Sequence, residues 1–467
     1  MFLSLFLMLA ATAFAANLAF TRPREFAFFL LPAGVLSFGA ETDGLGGLAN
    51  LSAIWLLILI ALSAIVCFRL ADTRTRWSTP EICYVFFLGW CAVESVRAGD
   101  LVYAVRGFSR LLFPFLSIYL IRRSVDSEGA ARRLVNLQFR ATAVSGLIFW
   151  GMLLAPAAFG LIVQLFWYGA VFFDHAAVLT MLALATWKVR REPRAALLAL
   201  FLAAICFRAV NRTTIMALAV GASVFCLVEY RKLAVLLLPA VYIALGAVLL
   251  TVPAFREKMF YASSHDDESI SLSAAADGDG SRINNNGRFA MWDVVLMRFY
   301  RPNPLLGSGL GATQAWFYGG GAKEAGCGNL KVEHSEYVRL LSDVGLIGMG
   351  LFLLTQVLAV ADAIRSYRRS SGEMAKVFSI AGICAVPVFF VCMGFDNALL
   401  YVIPVAQFPL AFVAIASALS SQRQPTAALP YSRPIEDAIR WLPRRSQGER
   451  FANPYQKSAT AAGPGSR

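Results

Sequence analysis

Apolar runs long enough to cross a bilayer recur along almost the whole chain, and this repetition constrains the fold more than any single motif does. The hydrocarbon core of a bilayer is about 30 Å thick and takes about 20 apolar residues of helix to cross. Runs of that kind fall near 1–20, 27–40, 51–70, 80–95, 101–121, 141–159, 168–187, 195–208, 214–229, 233–252, 338–360, 377–394 and 398–419. Backbone polar groups find no water in that layer, so such segments satisfy themselves as helices. The runs at 27–40, 80–95 and 195–208 are short for full spans. The expected fold is therefore an all-α polytopic membrane protein with about 12 crossings, in the range of roughly 11 to 13. Composition agrees: 58% of residues are hydrophobic and 15% charged, where soluble domains carry about 25% charged residues. The first run has no basic stretch ahead of it and reads as a retained helix rather than a signal peptide.

Charge orients these helices. Arg74-Thr75-Arg76, Arg122-Arg123 with Arg132-Arg133, Lys188 to Arg194, Arg231-Lys232, Arg365 to Arg369 and the tail from Arg423 to Arg467 are all basic. Short loops rich in Lys and Arg stay cytoplasmic. All six groups share one side if the segment 253–337 lies on the other. Four regions follow: a helical bundle over 1–252, an extracytoplasmic loop over 253–337, C-terminal spans over 338–420, and a flexible basic cytoplasmic tail over 421–467. The net charge of +13 then reports topology and contact with lipid headgroups, and implies no nucleic-acid partner. Seven of the eight cysteines lie in apolar segments, where they behave as small hydrophobes. Cys327 alone lies in the exported loop, which leaves it no disulfide partner there. No spacing resembles a metal site.

The exported loop has three parts. Residues 262–286 are small and polar and read as a mobile linker. Asp277, Asp279 and Gly280 fall short of a calcium loop, lacking the third oxygen position and the terminal glutamate. Asn286 can cap a helix from Arg288 to about Tyr300, with Phe289, Trp292 and Phe299 near helical spacing, as in a helix lying on the membrane surface. The chain then passes Asn303-Pro304-Leu305-Leu306-Gly307-Ser308-Gly309-Leu310-Gly311, and Gly319-Gly320-Gly321, before reaching Val332-Glu333-His334-Ser335-Glu336-Tyr337 at the membrane.

Three cationic or titratable residues of this exported face carry candidate chemistry. Arg288 falls in the first turn of its helix, where free N–H groups and the dipole already favour an anion; a guanidinium there outlines a diphosphate clamp and equally suits a lipid phosphate. Arg208 and Arg212 interrupt two apolar segments on the exported side, against the positive-inside trend. Arg208 reads as snorkelling to headgroups, Arg212 as functional. His334 is one of three histidines, and Glu333 or Glu336 beside it could orient the ring or raise its basicity. A neutral imidazole there could accept a proton from a sugar hydroxyl. Of the others, His175 beside Asp174 reads as a structural pair, and His265 falls in the linker.

Asn211-Arg212-Thr213 ahead of an apolar helix, Gly287-Arg288 with Trp292, Pro304-Leu305-Leu306-Gly307-Ser308-Gly309-Leu310-Gly311, and His334-Ser335-Glu336-Tyr337 followed by Val344-Gly345-Leu346-Ile347-Gly348 together resemble the bacterial O-antigen ligase and O-antigen polymerase superfamily over roughly 200–350. Two departures are mild: Asn211 stands where the family usually has serine, and Ser335 where asparagine commonly follows the histidine. The resemblance implies a GT-C-like glycosyltransferase of the inner membrane with its site facing the periplasm. Its donor would be a glycan on undecaprenyl diphosphate. Its acceptor would be a hydroxyl of lipid A core in a ligase, or of the next lipid-linked repeat in a polymerase, with other polysaccharide assembly proteins as partners. It further implies His334 as base, Arg212 and Arg288 on the diphosphate, and Arg208, Glu336, Tyr337 and Trp292 as substrate-binding. Neither metal nor other cofactor is implied, and direct displacement would invert the anomeric carbon. The alternative from another class is a flippase or transporter of lipid-linked oligosaccharide, for which Arg106, Arg110 and Arg140 would count. No internal repeat supports it, and the polar candidates gather at one face rather than at the midplane.

Overall fold

The computed structural model describes residues 2–33, 51–70, 77–155, 172–209, 211–252, 288–324, 332–399 and 403–422. The expected linker 262–286 with Asp277, Asp279 and His265, the cap Asn286, Cys327 and the tail beyond residue 422 lie outside the described residues.

Sixteen helices and no strand are present among the described residues. In chain order they are α1 (Phe2–Thr21), α2 (Pro23–Ala33), α3 (Leu51–Arg69), α4 (Thr79–Arg97), α5 (Leu101–Ser124), α6 (Glu128–Leu154), α7 (Phe172–Arg190), α8 (Pro193–Arg208), α9 (Arg212–Glu229), α10 (Arg231–Thr251), α11 (Arg288–Val295), α12 (Ala312–Tyr318), α13 (Gly321–Glu324), α14 (Glu336–Arg369), α15 (Glu373–Phe395) and α16 (Ile403–Gln422). Five of them, α5, α6, α9, α14 and α15, are long and apolar enough to cross a membrane. Helices overrun the apolar runs where a polar cap starts them early. Ser127 caps α6, accepting the Ala130 N–H at 3.2 Å, so the helix begins in the basic stretch with Arg132 and Arg133 instead of at the expected residue 141.

The expected regions 1–252 and 338–420 interleave as one bundle. The central element is α15, packed against α16, α9, α7 and α14 and buried along nearly its whole length, as its unbroken apolar sequence requires. Around it, α14 packs on α4, and α16 on α5.

The feature that shapes the candidate-bearing end of the bundle is a break in α14 at Gly345, where φ is 66° and ψ is −170°. A break frees backbone groups that must find partners inside the protein. The glycine turn ahead of the histidine supplies them. Leu346 N–H donates to Pro304 O at 2.9 Å and Ile347 N–H to Leu305 O at 3.2 Å, while Ser308 and Gly309 donate to Ser342 O and Asp343 O at 2.9 and 3.0 Å. Trp90 Nε1 donates to Val344 O at 3.0 Å. Gly307, at φ +80°, fits because a Cβ there would stand 2.6 Å from the Gly345 nitrogen. The turn is thus engaged with the broken helix and with Glu94 O of α4, which accepts from Leu310 N–H at 3.2 Å.

Candidate functional site

Three helix N-termini carry the candidate residues. Asn211 caps α9 by accepting from the N–H groups of Thr213 and Thr214 at 3.0 and 3.4 Å, which puts Arg212 at the first helical position. Thr214 Oγ1 in turn donates to Asp174 Oδ1 of α7 at 2.6 Å, both residues buried, and this ties down the start of α9. Asp174 takes this bond while the neighbouring His175 ring lies 4.9 Å from that of Phe408, because adjacent residues of a helix face different ways. Arg288 opens α11 and donates from Nη1 to Phe395 O, at the C-terminal end of α15, at 2.6 Å. Beyond Val295 this helix widens into a π-turn over Leu296–Tyr300, closed by Arg301 N–H to Leu296 O at 2.9 Å. Ser335 caps α14 through the Val338 N–H at 3.5 Å, and His334 precedes it in a left-handed conformation, φ 51°.

The charges of these termini act on one another. Arg288 is lowered from its ordinary range by burial first, with Arg212 adding to the effect and Asp396 opposing it. His334 is pushed down to about 4, by burial first and then by the Arg288 guanidinium. The imidazole is therefore neutral at physiological pH. The expectation that a neighbouring glutamate raises its basicity is corrected by this environment. Glu333 is itself pushed up to about 7, by burial first and then by Asp343.

The remaining sequence candidates divide by what they touch. Trp292 Nε1 donates to Glu333 O at 2.6 Å, fastening α11 to the histidine loop. Tyr337 OH donates to Phe390 O at 2.9 Å, so its polar end faces α15. Glu336 is fully buried and takes the Leu399 N–H at 2.8 Å and Arg339 Nε at 2.6 Å; it holds structure and offers no open surface to a substrate. Arg208 is exposed at the last residue of α8, the end at which a cation suits the helix dipole.

Two groups escaped the sequence reading. Asp396 follows the last residue of α15 and is electrostatically tied to Arg288; burial raises its carboxyl, and Asn397 N–H and Arg288 oppose the rise. A lone acid in the turn between the apolar runs 377–394 and 398–419 was the available signal. Arg339 was the other; Glu336 three residues before it and Asp343 four after it, at helical pair spacing, were the available signal.

Fold and site define a multi-pass helical membrane protein in which two helix-terminal guanidinium groups share a cluster with a neutral imidazole. Residues 195–353, a stretch that contains Arg212, Arg288 and His334, match the family model described as O-antigen ligase, which supports the resemblance to the O-antigen ligase and polymerase superfamily. The match points to a glycosyl-transferring membrane enzyme. A comparison with curated proteins finds no match. The two departures from the family pattern now have a physical reason: both positions are helix N-caps, and serine and asparagine cap almost equally well.

Proposed function

We propose that this protein transfers a glycan from undecaprenyl diphosphate to a hydroxyl of an acceptor glycan at the periplasmic face of a bacterial inner membrane, through about 12 spans. The observation that carries the reading is the convergence of Arg212, Arg288 and the neutral His334 on one electrostatic neighbourhood. The guanidinium groups and the N-termini of α9 and α11 suit a diphosphate. Donor binding would place negative charge beside Arg288, which raises the pKa of His334 from its low value and makes it a stronger base when the substrate is present. The acceptor oxygen then attacks the anomeric carbon opposite the diphosphate. Its proton passes to His334, the bond from the anomeric carbon to the diphosphate oxygen breaks, and the electron pair leaves with the diphosphate. The configuration inverts. Arg212 and Arg288 balance the charge on the leaving group, which is the part a divalent ion plays elsewhere.

Both acceptors, a second lipid-linked repeat and lipid A core, fit this chemistry. The test is purified protein with an undecaprenyl-diphosphate glycan and an acceptor, in EDTA. Product from wild type and none from His334→Ala supports the base and the metal-independent route together. A requirement for a divalent ion, or full activity in His334→Ala, overturns the mechanism. A flippase would leave donor on the cytoplasmic face when inactivated, whereas a transferase variant leaves it on the periplasmic face.

A further inference from the structure

Behind the site lies a second charged cluster, wholly enclosed. Arg339 is 2% exposed, and Glu333, Glu336 and Asp343 around it are 1%, 0% and 0% exposed. Arg339 Nε donates to Glu336 Oε2 at 2.6 Å, and its Nη1 stands 3.9 Å from Asp343 Oδ2. Glu333 lies within electrostatic reach of both Arg339 and Asp343. From α4, Cys91 lies within electrostatic reach of Arg339 and Asp343, and Glu94, one turn on, is held by Arg97 at 2.6 Å.

The carboxylates reach outward in three directions. Glu336 Oε1 holds the Leu399 N–H at 2.8 Å, three residues past Asp396. Asp343 holds the glycine turn and the start of α12, through Gly311 N–H at 3.0 Å, Thr313 N–H at 3.1 Å and Thr313 Oγ1 at 2.9 Å. Glu333 and Glu336 stand on either side of His334 and Ser335, and both turn inward. Between them, His334 takes a left-handed φ of 51°, a region that costs a residue with a Cβ and persists only where surroundings over-determine it.

We infer that Arg339 is a positioning residue: by drawing in the carboxylates on both sides of His334, it sets the turn that leaves the imidazole outside the cluster and under the influence of Arg288. The planar fork of arginine reaches two carboxylates at fixed angles, which a lysine point charge does not. The histidine therefore depends on a residue that never meets the substrate. This inference rests on the reading of His334 as the base, but its test reads the histidine directly.

The protein has three histidines, so the imidazole resonances of the full-length protein in detergent can be assigned by single substitution and titrated by NMR. In wild type His334 is pushed down to about 4 by burial and Arg288; Arg212 and Asp396 act in turn on Arg288, and Glu333 directly precedes the histidine. In Arg339→Lys and in Glu336→Gln, which keeps the shape of the side chain and removes its charge, the His334 titration moves toward the ordinary value of about 6.5 as the ring leaves its place. Turnover from the undecaprenyl-diphosphate glycan falls by about ten- to a hundredfold with donor KM changed less than about twofold, as expected of a displaced base. A folded variant whose His334 still titrates at the wild-type value, whatever its activity, overturns the inference, and so does failure of both conservative variants to fold. If wild type itself transfers no glycan, the proposed function fails, and the titration still decides the role of Arg339.

Discussion

Arg339 is 2% exposed and lies within 4 Å of two carboxylates, Glu336 and Asp343. Arg288, at the start of α11, donates to a backbone carbonyl and feels a like charge from Arg212 as well as the opposite charge of Asp396. The two share one side-chain chemistry and one histidine loop, yet their surroundings give them different work. A guanidinium whose donors are taken by carboxylates is a joint: removing it leaves buried charge uncompensated. A guanidinium lowered by burial and by a neighbouring cation has attraction left for an anion that arrives from outside.

That contrast can be broken by substitution. The largest effect is expected at the residue between the two arginines. His334→Ala and His334→Gln should each lower glycan transfer by about 10²–10⁴-fold, the usual contribution of a general base, measured with purified protein under saturating donor. Near-normal product from either variant would leave the cluster without its base.

Next comes stability. Breaking a buried ion pair by removing one partner commonly costs about 3–5 kcal/mol, so Arg339→Ala should unfold well below wild type in a detergent melt. Arg288→Ala, which frees a single carbonyl bond, should melt near wild type. Equal melting of the two variants would erase the distinction drawn above.

In rate the two arginines should stand closer together. Losing a charge-assisted hydrogen bond costs about 1.5–3 kcal/mol, or roughly ten- to a hundredfold in rate. Arg288→Ala and Arg212→Ala should lose that much transfer while inserting normally, and lysine should restore only part of it.

Acidity gives a finer test. His334 sits at about 4, below its ordinary value, so the folded protein binds fewer protons there than the unfolded chain between about 4 and 6.5, and stability rises with pH in that window. Glu333 sits at about 7, above its ordinary value, so between about 4.3 and 7 it holds a proton the unfolded chain has lost, and stability falls with rising pH. The two oppose each other. Glu333→Gln removes the fall, and its melting temperature should climb more steeply than that of wild type from pH 4.5 to 6.5. A parallel or shallower climb would show that Glu333 titrates elsewhere.

The smallest effect is expected where the chain departs from the family pattern. Asn211→Ser and Ser335→Asn should leave transfer within about twofold, because each exchanges one good cap for another. Alanine at either position should cost about 1 kcal/mol in stability; a larger loss of activity than of stability would mean that the side chain does more than cap.

Much of the fold was legible because a membrane reduces the problem. Runs of about 20 apolar residues have one way to satisfy their backbone in hydrocarbon, and helices α3, α5, α9 and α10 fall within a few residues of their expected runs. Where ends differ, a cap such as Ser127 decided the matter rather than hydrophobicity. Arg212, Arg288 and His334 were legible for a related reason: ionisable residues next to apolar helices are costly enough to stand out. The role of Pro304 to Gly311 was not, since glycine spacing says that the backbone comes close to something and not to what. Here it is Gly345 and the break in α14.

By itself, then, the sequence determined the helical membrane class, the side of the bundle on which the polar candidates gather, and the residue types available for the chemistry. Hydropathy and charge are properties of a linear string, and the bilayer reads them linearly. Tertiary structure alone decided which of those residues meet. Arg212, Arg288 and His334 stand at the starts of three helices, separated by 76 and 46 positions in the chain, and Arg339, five residues from His334, is enclosed only when Glu333, Glu336 and Asp343 close around it. Whether a guanidinium binds a substrate or braces a histidine depends on what has already taken its donors, and that is settled only when the helices pack.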